Sequence, residues 1–347
     1  MPGVLAVAGD LVEDVVAHTS EPLRMGSDAA ATITRQRGGS AANVAVFAAA
    51  VGAPTRFVGC VGPDAAGDGV VAELTAKGVD VRVQRRGSTG TIVVVVDDSG
   101  ERTMLPDRAA CALLGTVDDA WLAGVEILHL PLYGFDTGTT PDALRDMATR
   151  VRAAGGRVSI DISSTRLVDV HGPAWVDALV ADLLPTWVSA NADEVTALGL
   201  DGDSWLARHP FATVLARAGA RATRVLRHGD PTVTVPVQPV EGARDTTGAG
   251  DAFAAGFLSA TLRGLPVRDR LRHGHLMAAA ALTVPGDLAA PPARDRADRL
   301  AALDDAAWGR LRLGPGWTQA GDAAGGTAGD QTGDRTGEGA DEEVRTS

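Results

Sequence analysis

The stretch Asp245-Thr-Thr-Gly-Ala-Gly-Asp-Ala-Phe-Ala-Ala-Gly-Phe257 places a glycine-rich turn directly before an apolar run. This pattern predicts a tight loop that leads into the first turn of a buried helix. The N–H groups of Gly248, Ala249 and Gly250 would then point to one spot, where the helix dipole also favours negative charge. Asp251 would lie beside that spot. A cradle for an anion next to a carboxylate base is the arrangement that phosphoryl transfer to a hydroxyl requires.

Two other blocks of the chain bear on this interpretation, because a glycine-rich turn before a helix is by itself equally compatible with a loop that binds nothing. Gly38-Gly-Ser-Ala-Ala-Asn-Val-Ala45 is followed by Val58-Gly-Cys-Val-Gly-Pro-Asp64, and Asn191-Ala-Asp-Glu194 comes later. Together with residues 245–257, these blocks resemble the signatures of the ribokinase-like (PfkB) carbohydrate kinases, in the order and with the separations of that family. The resemblance covers about residues 3 to 290.

The resemblance implies both a fold and an activity. The fold is α/β, a three-layer α/β/α sandwich with a mainly parallel sheet and a small β-sheet lid. The activity is ATP-dependent phosphorylation of a hydroxyl, expected to be primary, on a small sugar. Asp251 would act as the general base, and the amides of Gly248, Ala249 and Gly250 would form the anion hole. Two alternatives stay open: a nucleoside kinase of the same family, and a non-catalytic sugar or nucleotide sensor on this fold.

Several residues match family positions that contact the sugar or the nucleotide. Glycines let a backbone approach its substrate closely, and carboxylate and amide groups bind a polyol. For the sugar, the resemblance implies Asp14, Gly38, Gly39 and Asn43, with Asp10 as a weaker candidate beside them. For ATP, it implies Asn191, Glu194, Arg227, Gly229, Thr246 and Met277. Arg227 is also compatible with a surface cation, and Met277 with an ordinary core methionine.

The resemblance also implies two cations. Asn191 and Glu194 match the N-x-x-E magnesium motif, and because Mg²⁺ keeps several of its waters, we expect Glu194 to act through water. The same two residues are also typical of a helix cap. Asp245 and Thr247 match positions that help to form a potassium site beside the cradle. Hydrogen bonding within the loop is the alternative for these two residues.

The chain departs from ribokinases proper at positions next to the acceptor. Ser40 stands where a lysine follows the glycine pair, and Val12 replaces an asparagine. These changes put ribose itself in doubt. An unphosphorylated sugar is favoured over a nucleoside, while Arg35, Arg37 and Arg102 leave a phosphorylated sugar open.

Composition argues against several other classes of protein. The 347 residues carry a formal net charge of −12, which argues against a nucleic-acid partner held by phosphate contacts. Lys77, between Ala76 and Gly78, is the only lysine, so the chain contains no Walker A motif. Cys60 and Cys111 imply no disulfide framework and are expected to be buried thiols. We find neither a signal peptide nor a run long enough to cross a bilayer, so we expect a cytoplasmic protein without a membrane partner.

Strands and helices alternate along most of the chain, which predicts a mainly parallel sheet covered on both faces. Ligands of such sheets bind beyond the carboxyl ends of the strands. We expect Asp10, Gly59, Asp161 and Asn191 at such ends and therefore in one cleft. Two segments, about residues 15–37 and 83–105, look like β-ribbons. The resemblance makes them the lid, and surface hairpins are the alternative.

The domain organisation follows from a change of composition near residue 314. We expect one kinase domain over residues 1–313 and a disordered acidic tail over residues 314–347. This tail contains nine glycines, seven acidic residues and two arginines, and no apolar periodicity. The resemblance further suggests a homodimer formed through the lids, with a sugar or nucleoside and ATP as the small-molecule partners.

Overall fold

The computed structural model describes residues 3–97, 99–242, 248–283, 290–314 and 316–318. Its strands are β1 Val4–Ala8, β2 Val12–Thr19, β3 Ala31–Gly38, β4 Thr55–Val61, β5 Asp80–Arg85, β6 Gly90–Val96, β7 Arg102–Asp107, β8 Val125–Pro131, β9 Arg157–Asp161, β10 Trp187–Ala190, β11 Thr213–Arg217, β12 Ala222–Leu226 and β13 Val233–Pro236. Its α-helices are α1 Ser40–Ala50, α2 Ala65–Ala76, α3 Asp119–Leu122, α4 Thr140–Ala153, α5 Thr165–His171, α6 Pro173–Leu183, α7 Ala192–Leu198, α8 Asp203–Arg208, α9 Ala249–Leu262, α10 Val267–Ala281, α11 Arg294–Ala301 and α12 Asp305–Arg310.

Nine strands form the large sheet, in the order β13-β12-β11-β10-β9-β8-β1-β4-β5. All neighbours from β11 to β5 are parallel, and β12 and β13 add an antiparallel edge. Successive side chains of a strand point to opposite faces. Ile127 accordingly belongs to the apolar cluster that includes side chains of α1, α9 and α10, while Leu128 belongs to the cluster that includes side chains of α4, α6 and α7. The predicted three-layer sandwich is therefore confirmed.

Helix α9 is buried along most of its length, because small residues let α10 approach it closely. A methyl group added to Gly256 would come within 2.5 Å of the carbonyl oxygen of His273 on α10. Ala252 and Ala255 on the same helix expose no surface. The apolar run that follows the glycine-rich turn is thus a central helix of the core, as the sequence predicts.

A second sheet, in the order β3-β2-β6-β7, forms the predicted lid. The two ribbons join because β2 and β6 pair in parallel, from Val12 opposite Gly90 to His18 opposite Val96. One predicted boundary is wrong. Val83 pairs with Gly59 of β4 in the large sheet, so residues 83–85 belong to β5 and the second ribbon begins at Gly90.

The folded core extends beyond residue 313, which we predicted as its end. Trp317 is 6% exposed and packs in a third apolar cluster with Trp308 and Leu313. The boundary between domain and tail therefore lies after this tryptophan. Residues 319–347 lie outside the described residues, so their disorder stays a prediction.

Cys60 and Cys111 are both buried free thiols, as expected. Across the described ranges, no helix is both long enough and apolar enough to cross a membrane.

Candidate active site

The amino end of α9 lies at the carboxyl edge of the parallel strands. Gly248 precedes the helix with a φ of 71°, in the left-handed region that glycine adopts readily. Among the described residues, no side chain caps this helix. The first N–H groups of a helix have no partner within the helix, so Gly248, Ala249 and Gly250 present donors at the positive end of its dipole. Asp251 follows in the first turn.

The carboxylate of Asp251 is held by α1. Ser40 Oγ donates to Asp251 Oδ1 at 2.7 Å, and Asn43 Nδ2 donates to Oδ2 at 3.0 Å. The amide of Asn43 is in turn fixed by Arg37, whose Nη1 donates to Asn43 Oδ1 at 2.6 Å and whose side chain is almost fully buried. Asp251 and Asn43 therefore meet as the two motifs suggest. Ser40, which we treated only as a departure from lysine, is part of the same contact.

Gly38 and Gly39 connect β3 to α1 at a point where the chain lies close to Asp14 and Asp10. A methyl group on Gly38 would come within 2.3 Å of the Asp14 carboxylate. A methyl group on Gly39 would come within 2.6 Å of the backbone oxygen of Asp10, and Gly39 also has a φ of 105°. The position of Gly39 therefore requires glycine, for both close approach and conformation, whereas a side chain at the position of Gly38 would displace the Asp14 carboxylate. Asp14, on lid strand β2, lies directly over Gly38.

Asp10 has partners on two elements. Its Oδ1 accepts from the backbone N–H of Ala41, at the start of α1, at 3.1 Å. Its Oδ2 accepts from Arg108 Nη1 at 3.2 Å, and that guanidinium lies 4.3 Å from the ring centre of Tyr133. Burial raises the pKa of Tyr133, and the negative charges of Asp10 and Asp251 contribute to the rise, so the ring lies near both acids. We missed Arg108 and Tyr133, although Arg108 directly follows the return strand of the lid.

Asn191 and Glu194 form a capping box at the start of α7. Asn191 Oδ1 accepts from the backbone N–H of Glu194 at 3.0 Å, and Glu194 Oε2 accepts from the backbone N–H of Asn191 at 2.8 Å. The cap interpretation is thus correct for this pair. Glu194 also lies near Asp161. Its pKa is raised to about 7, mainly by burial and next by the negative charge of Asp161. Two carboxylates therefore share the end of β9 and the start of α7.

These carboxylates fit the predicted magnesium. Mg²⁺ is usually bound by one or two carboxylates, several waters and the phosphates of its substrate. Asp161 and Glu194 supply that number of protein ligands. In the part of the chain that the structure describes, no cluster of three or more histidine, cysteine, aspartate or glutamate residues forms a complete protein cage.

Arg217, which the sequence analysis missed, joins this group from the end of β11. Its Nη2 donates to Asp161 Oδ2 at 3.0 Å. On its other side, a methyl group on Gly250 would come within 2.5 Å of Nη1, so the guanidinium lies against the first turn of α9. The sequence does contain a hint, namely an arginine directly after the buried residues Val214, Leu215 and Ala216.

Arg227 and Gly229 do not reach this site, and their assignment to the nucleotide is corrected. We matched them to the end of a parallel strand, but β12 is antiparallel to β11, with Leu226 opposite Val214 at the beginning of β11. A short turn joins antiparallel strands, whereas parallel ones need a long crossover. The turn after β12 therefore lies at the opposite edge of the sheet. Arg227 is half exposed there, beside Asp230, as a surface cation.

Met277 and Gly59 are not brought to the cradle. Met277 is 1% exposed in the apolar core and lines a cavity of about 200 Å³ with Gly3 and Pro54, which precede β1 and β4 at the amino edge of the sheet. The core interpretation of Met277 is therefore the better one. Gly59 lies two residues inside β4 rather than at its end. The predicted roles of Asp245, Thr246 and Thr247 concern positions outside the described residues.

Comparisons with known proteins identify the family and the fold of the chain. A family model described as the pfkB family of carbohydrate kinases matches residues 4–294. The bifunctional protein HldE of Pseudomonas aeruginosa is 30% identical over 272 residues, which cover 74% of this chain and 55% of HldE. An ATP-dependent ribose-1-phosphate kinase of Halopiger xanaduensis is 31% identical over 287 residues, 77% of this chain and 88% of that protein. The structure of Arabidopsis thaliana ribokinase with ribose and ATP aligns with a TM-score of 0.73 and 24% identity, over 88% of this chain and 100% of that chain.

The chain belongs to the pfkB family of carbohydrate kinases. Members of this family are phosphotransferases that act on sugar hydroxyls, and ATP is the donor expected for them. The ribokinase alignment shows the fold alone. The chain spans about half the length of the HldE proteins that it matches.

Proposed function

We propose that this chain transfers the γ-phosphoryl group of ATP to a hydroxyl, expected to be primary, on a small sugar. The hydroxyl oxygen attacks the γ-phosphorus while Asp251 takes the hydroxyl proton, and the bond from that phosphorus to the bridging oxygen of ADP breaks. The N–H groups of Gly248, Ala249 and Gly250 donate to the oxygens of the transferred group. The products are a sugar phosphate and ADP, and Asp251 releases the proton to water.

The setting of the Asp251 carboxylate is the observation that carries this proposal. Ser40 and Asn43 donate to its two oxygens, which fixes it in the first turn of a helix without a side-chain cap among the described residues. These hydrogen bonds orient the carboxylate toward α1 and the glycine pair that precedes this helix. A general base must lie within hydrogen-bond reach of the proton that it takes, and an acceptor held at the glycine pair would place its hydroxyl beside Asp251.

The acceptor side supports a ligand with several hydroxyls, such as a sugar. The Asp14 carboxylate lies against Gly38, and the backbone of Asp10 lies against Gly39. Carboxylates are suited to accept hydrogen bonds from several hydroxyls. The lid sheet that carries Asp14 would exclude water from the reaction.

On the nucleotide side, Asp161 and Glu194 would hold Mg²⁺ together with water and the ATP phosphates. When bound, the metal neutralises negative charge on the β- and γ-phosphates. Burial and the charge of Asp161 raise the pKa of Glu194 to about 7, and a bound Mg²⁺ would favour the ionised form of this carboxylate. Potassium binding by Asp245 and Thr247 stays a prediction.

An ADP-release screen tests this function. Pentoses, hexoses, ketoses, sugar acids and nucleosides are offered with Mg·ATP, with and without potassium. Asp251→Asn is expected to lower kcat by at least about 10²-fold and to leave ATP binding intact, because it removes the base and keeps the side-chain shape. Asp269→Asn is the matched control, since Asp269 also lies in the first turn of a helix, α10, away from this site. Near-normal turnover of Asp251→Asn would exclude the proposed base, and an absence of ADP release with every acceptor would favour the sensor alternative.

Arg108 supports a second candidate, an acceptor that already carries an anionic group. It contacts Asp10 on the acceptor side of the site. The arginines considered from sequence have other positions: Arg35 is exposed and pairs with Glu13, and Arg37 is committed to Asn43. Arg102 lies opposite Val96, at the far end of β7 from Arg108.

This candidate is tested by comparing ribose 1-phosphate with ribose as acceptors of the wild-type protein and of Arg108→Met. Recognition of a phosphate predicts a higher KM for the phosphorylated sugar alone. An equal change for both acceptors would show that Arg108 only positions Asp10.

We also propose that two copies of the chain associate through their lids. The edge strands of the lid expose large apolar side chains: Ile33 on β3, and Met104 and Leu105 on β7. Exposed apolar groups gathered on one small sheet favour association. Light scattering over a range of concentrations should detect a dimer, and Ile33→Lys should shift it toward monomer. A wild-type protein that stays monomeric at high concentration would exclude this assembly.

A further inference from the structure

The phosphoryl-binding end of α9 contains no lysine. Lys77, the only lysine of the chain, is exposed at the carboxyl end of α2. A transferred phosphoryl group carries negative charge on three oxygens, and enzymes that transfer it commonly place a side-chain cation against it. If a side-chain cation contacts the transferred phosphoryl group in this chain, that side chain is therefore an arginine.

Arg217 reaches this end of the helix from β11. The contact is close, because a methyl group on Gly250 would come within 2.5 Å of Arg217 Nη1. The guanidinium carbon also lies 5.8 Å from the ring centre of Phe253, which belongs to α9. The side chain of Arg217 is 15% exposed. The cation is thus partly withdrawn from water, where its interaction with an anion is stronger.

Asp161 fixes one side of this guanidinium and leaves the other side unused. Nη2 donates to Asp161 Oδ2 at 3.0 Å and lies 3.4 Å from Oδ1. Asp161 is itself oriented by the backbone N–H of Ser163, which donates to Oδ1 at 2.9 Å. By contrast, neither Nη1 nor the buried Nε of Arg217 has a hydrogen-bond partner among the residues that the structure describes. Donors left unused in a partly buried site are costly, and an anion at Nη1 would satisfy one of them.

We propose that Arg217 is a catalytic residue whose Nη1 donates to an oxygen of the γ-phosphoryl group during its transfer. This inference rests on the proposed kinase function and adds a cation that none of the sequence motifs contains. Asp251, in the first turn of α9, faces α1, and Arg217 reaches the same end of the helix from β11. Arg217 supplies charge and a donor and exchanges no proton, so the bonds made and broken are those of the proposed transfer.

The position of Gly250 has a second explanation under this proposal. A side chain at residue 250 would push the guanidinium away from the helix, so the glycine serves the arginine as well as the phosphoryl group. The planar fork of arginine can bind Asp161 through one nitrogen and a phosphoryl oxygen through the other. A lysine ammonium, which is a single point charge, would not hold both in the same geometry.

Steady-state kinetics of Arg217→Met and Arg217→Lys test the proposal. Methionine keeps much of the side-chain volume and removes every donor. We expect Arg217→Met to lower kcat by at least about 10²-fold with less than about a threefold change in the acceptor KM, and Arg217→Lys to fall between it and wild type. Arg224→Met is the matched control, because Arg224 lies on the neighbouring strand β12 and forms a surface ion pair with Asp201. It should behave as wild type.

Calorimetry measures nucleotide affinity without an acceptor. This affinity does not depend on how much of the protein sample is folded. ADP is titrated with MgCl₂ alone and with MgCl₂ plus aluminium fluoride, which mimics the group in transfer. Arg217→Met should bind ADP as wild type does and should lose at least about tenfold in affinity for ADP with aluminium fluoride. Guanidinium ion at millimolar concentration should restore part of its turnover.

Three results would overturn the proposal. The first is a near-normal kcat of Arg217→Met. The second is an equal loss of affinity for both nucleotide mixtures, which would make Arg217 a residue for ground-state binding. The third is a wild-type protein that binds neither mixture, which would remove the kinase function itself, whereas the first two leave that function intact.

Discussion

At the scale of single residues, the site depends on how the carboxylate of Asp251 is oriented. A serine and an amide from one helix hold it, and a buried arginine holds the amide. Hydrogen bonds to charged groups contribute about 1.5 to 3 kcal/mol, more than bonds between neutral groups. The α1 helix therefore orients the proposed base directly, in addition to its proposed contact with the acceptor through Asn43.

Replacing Ser40 should show this effect. Ser40→Ala removes the donor to Asp251 Oδ1 and so orients the carboxylate less firmly toward the acceptor. We expect kcat to fall by about 10-fold or more, with little change in the KM for ATP. Steady-state kinetics against both substrates measure this split.

Ser99→Ala is the matched control for Ser40→Ala. Ser99 also donates to an aspartate carboxylate, that of Asp97, but it does so in an exposed turn of the lid. Equal kcat values for the two variants would contradict a specific role of Ser40 toward Asp251.

At the scale of elements, the junction between β3 and α1 brings the two sides of the site together. Gly39 is the N-cap of α1, and its missing side chain lets the helix start beneath the Asp10–Leu11 backbone. In this way lid strand β3 leads directly into α1, which presents Ser40 and Asn43 to Asp251 of α9. The block at residues 38–45 predicted this helix from sequence, since a glycine pair followed by small residues is local information.

Gly39→Ala should therefore cost more stability than alanine at other glycines with positive φ. A methyl group at this position meets the Asp10 oxygen at 2.6 Å, at a φ of 105°. Gly155→Ala is the control, because Gly155 has a φ of 85° and nothing within 4 Å of the added methyl group. We expect about 1 to 2 kcal/mol for Gly155→Ala and a larger loss for Gly39→Ala, measured by urea unfolding. Equal losses would contradict the close packing of this junction.

The antiparallel edge of the large sheet shows where element prediction failed. We assigned Arg227 and Gly229 to the nucleotide, but β11 directly precedes β12 and pairs with it antiparallel, so the turn after β12 lies at the opposite edge of the sheet. The error arose because strand direction depends on the connection to the preceding strand and not on the strand's own residues.

At the scale of the whole molecule, burial sets how stability depends on pH. Burial lowers the pKa of His129 to about 4 and that of His275 to about 3, from 6.5. Both side chains are therefore neutral in the folded state, while the unfolded chain takes up protons below about pH 6.5. The free energy of unfolding should fall as the pH decreases from 6.5 toward 4, by up to about 1.4 kcal/mol per pH unit for each histidine.

Urea unfolding at several pH values checks this dependence. His275→Gln should reduce the slope of stability against pH by about one proton, because glutamine does not titrate. His18→Gln is the control, since His18 is exposed on the lid. An unchanged slope in His275→Gln would contradict a neutral buried histidine at this position.

Truncation tests how far the folded molecule extends. A chain that ends at Thr318 keeps Trp317 in its cluster with Trp308 and should unfold as the full chain does. A chain that ends at Leu313 loses this buried ring and should be less stable by about 3 kcal/mol or more. Thermal unfolding compares the three chains. Equal stability of the two truncated chains would place Trp317 outside the folded core.

The sequence by itself determined the parts of this protein that are built from consecutive residues. The glycine-rich turn before α9, Asp251 in its first turn and the glycine pair before α1 follow from local backbone conformation, which neighbouring residues set. The alternation of strands and helices likewise predicted the three-layer sandwich. These features could be predicted from the sequence because each depends on residues that lie a few positions apart in the chain.

Only the tertiary structure decided which distant side chains join them. Arg108 lies 98 residues along the chain from its partner Asp10, and Arg217 lies 56 residues from its partner Asp161. Such meetings depend on the order and direction of strands in the sheet, which arise from packing the whole chain around one core. The same packing removed Arg227 and Met277 from the site. A motif predicts the chemistry of its own loop, whereas the charges that surround that loop are fixed by the completed fold.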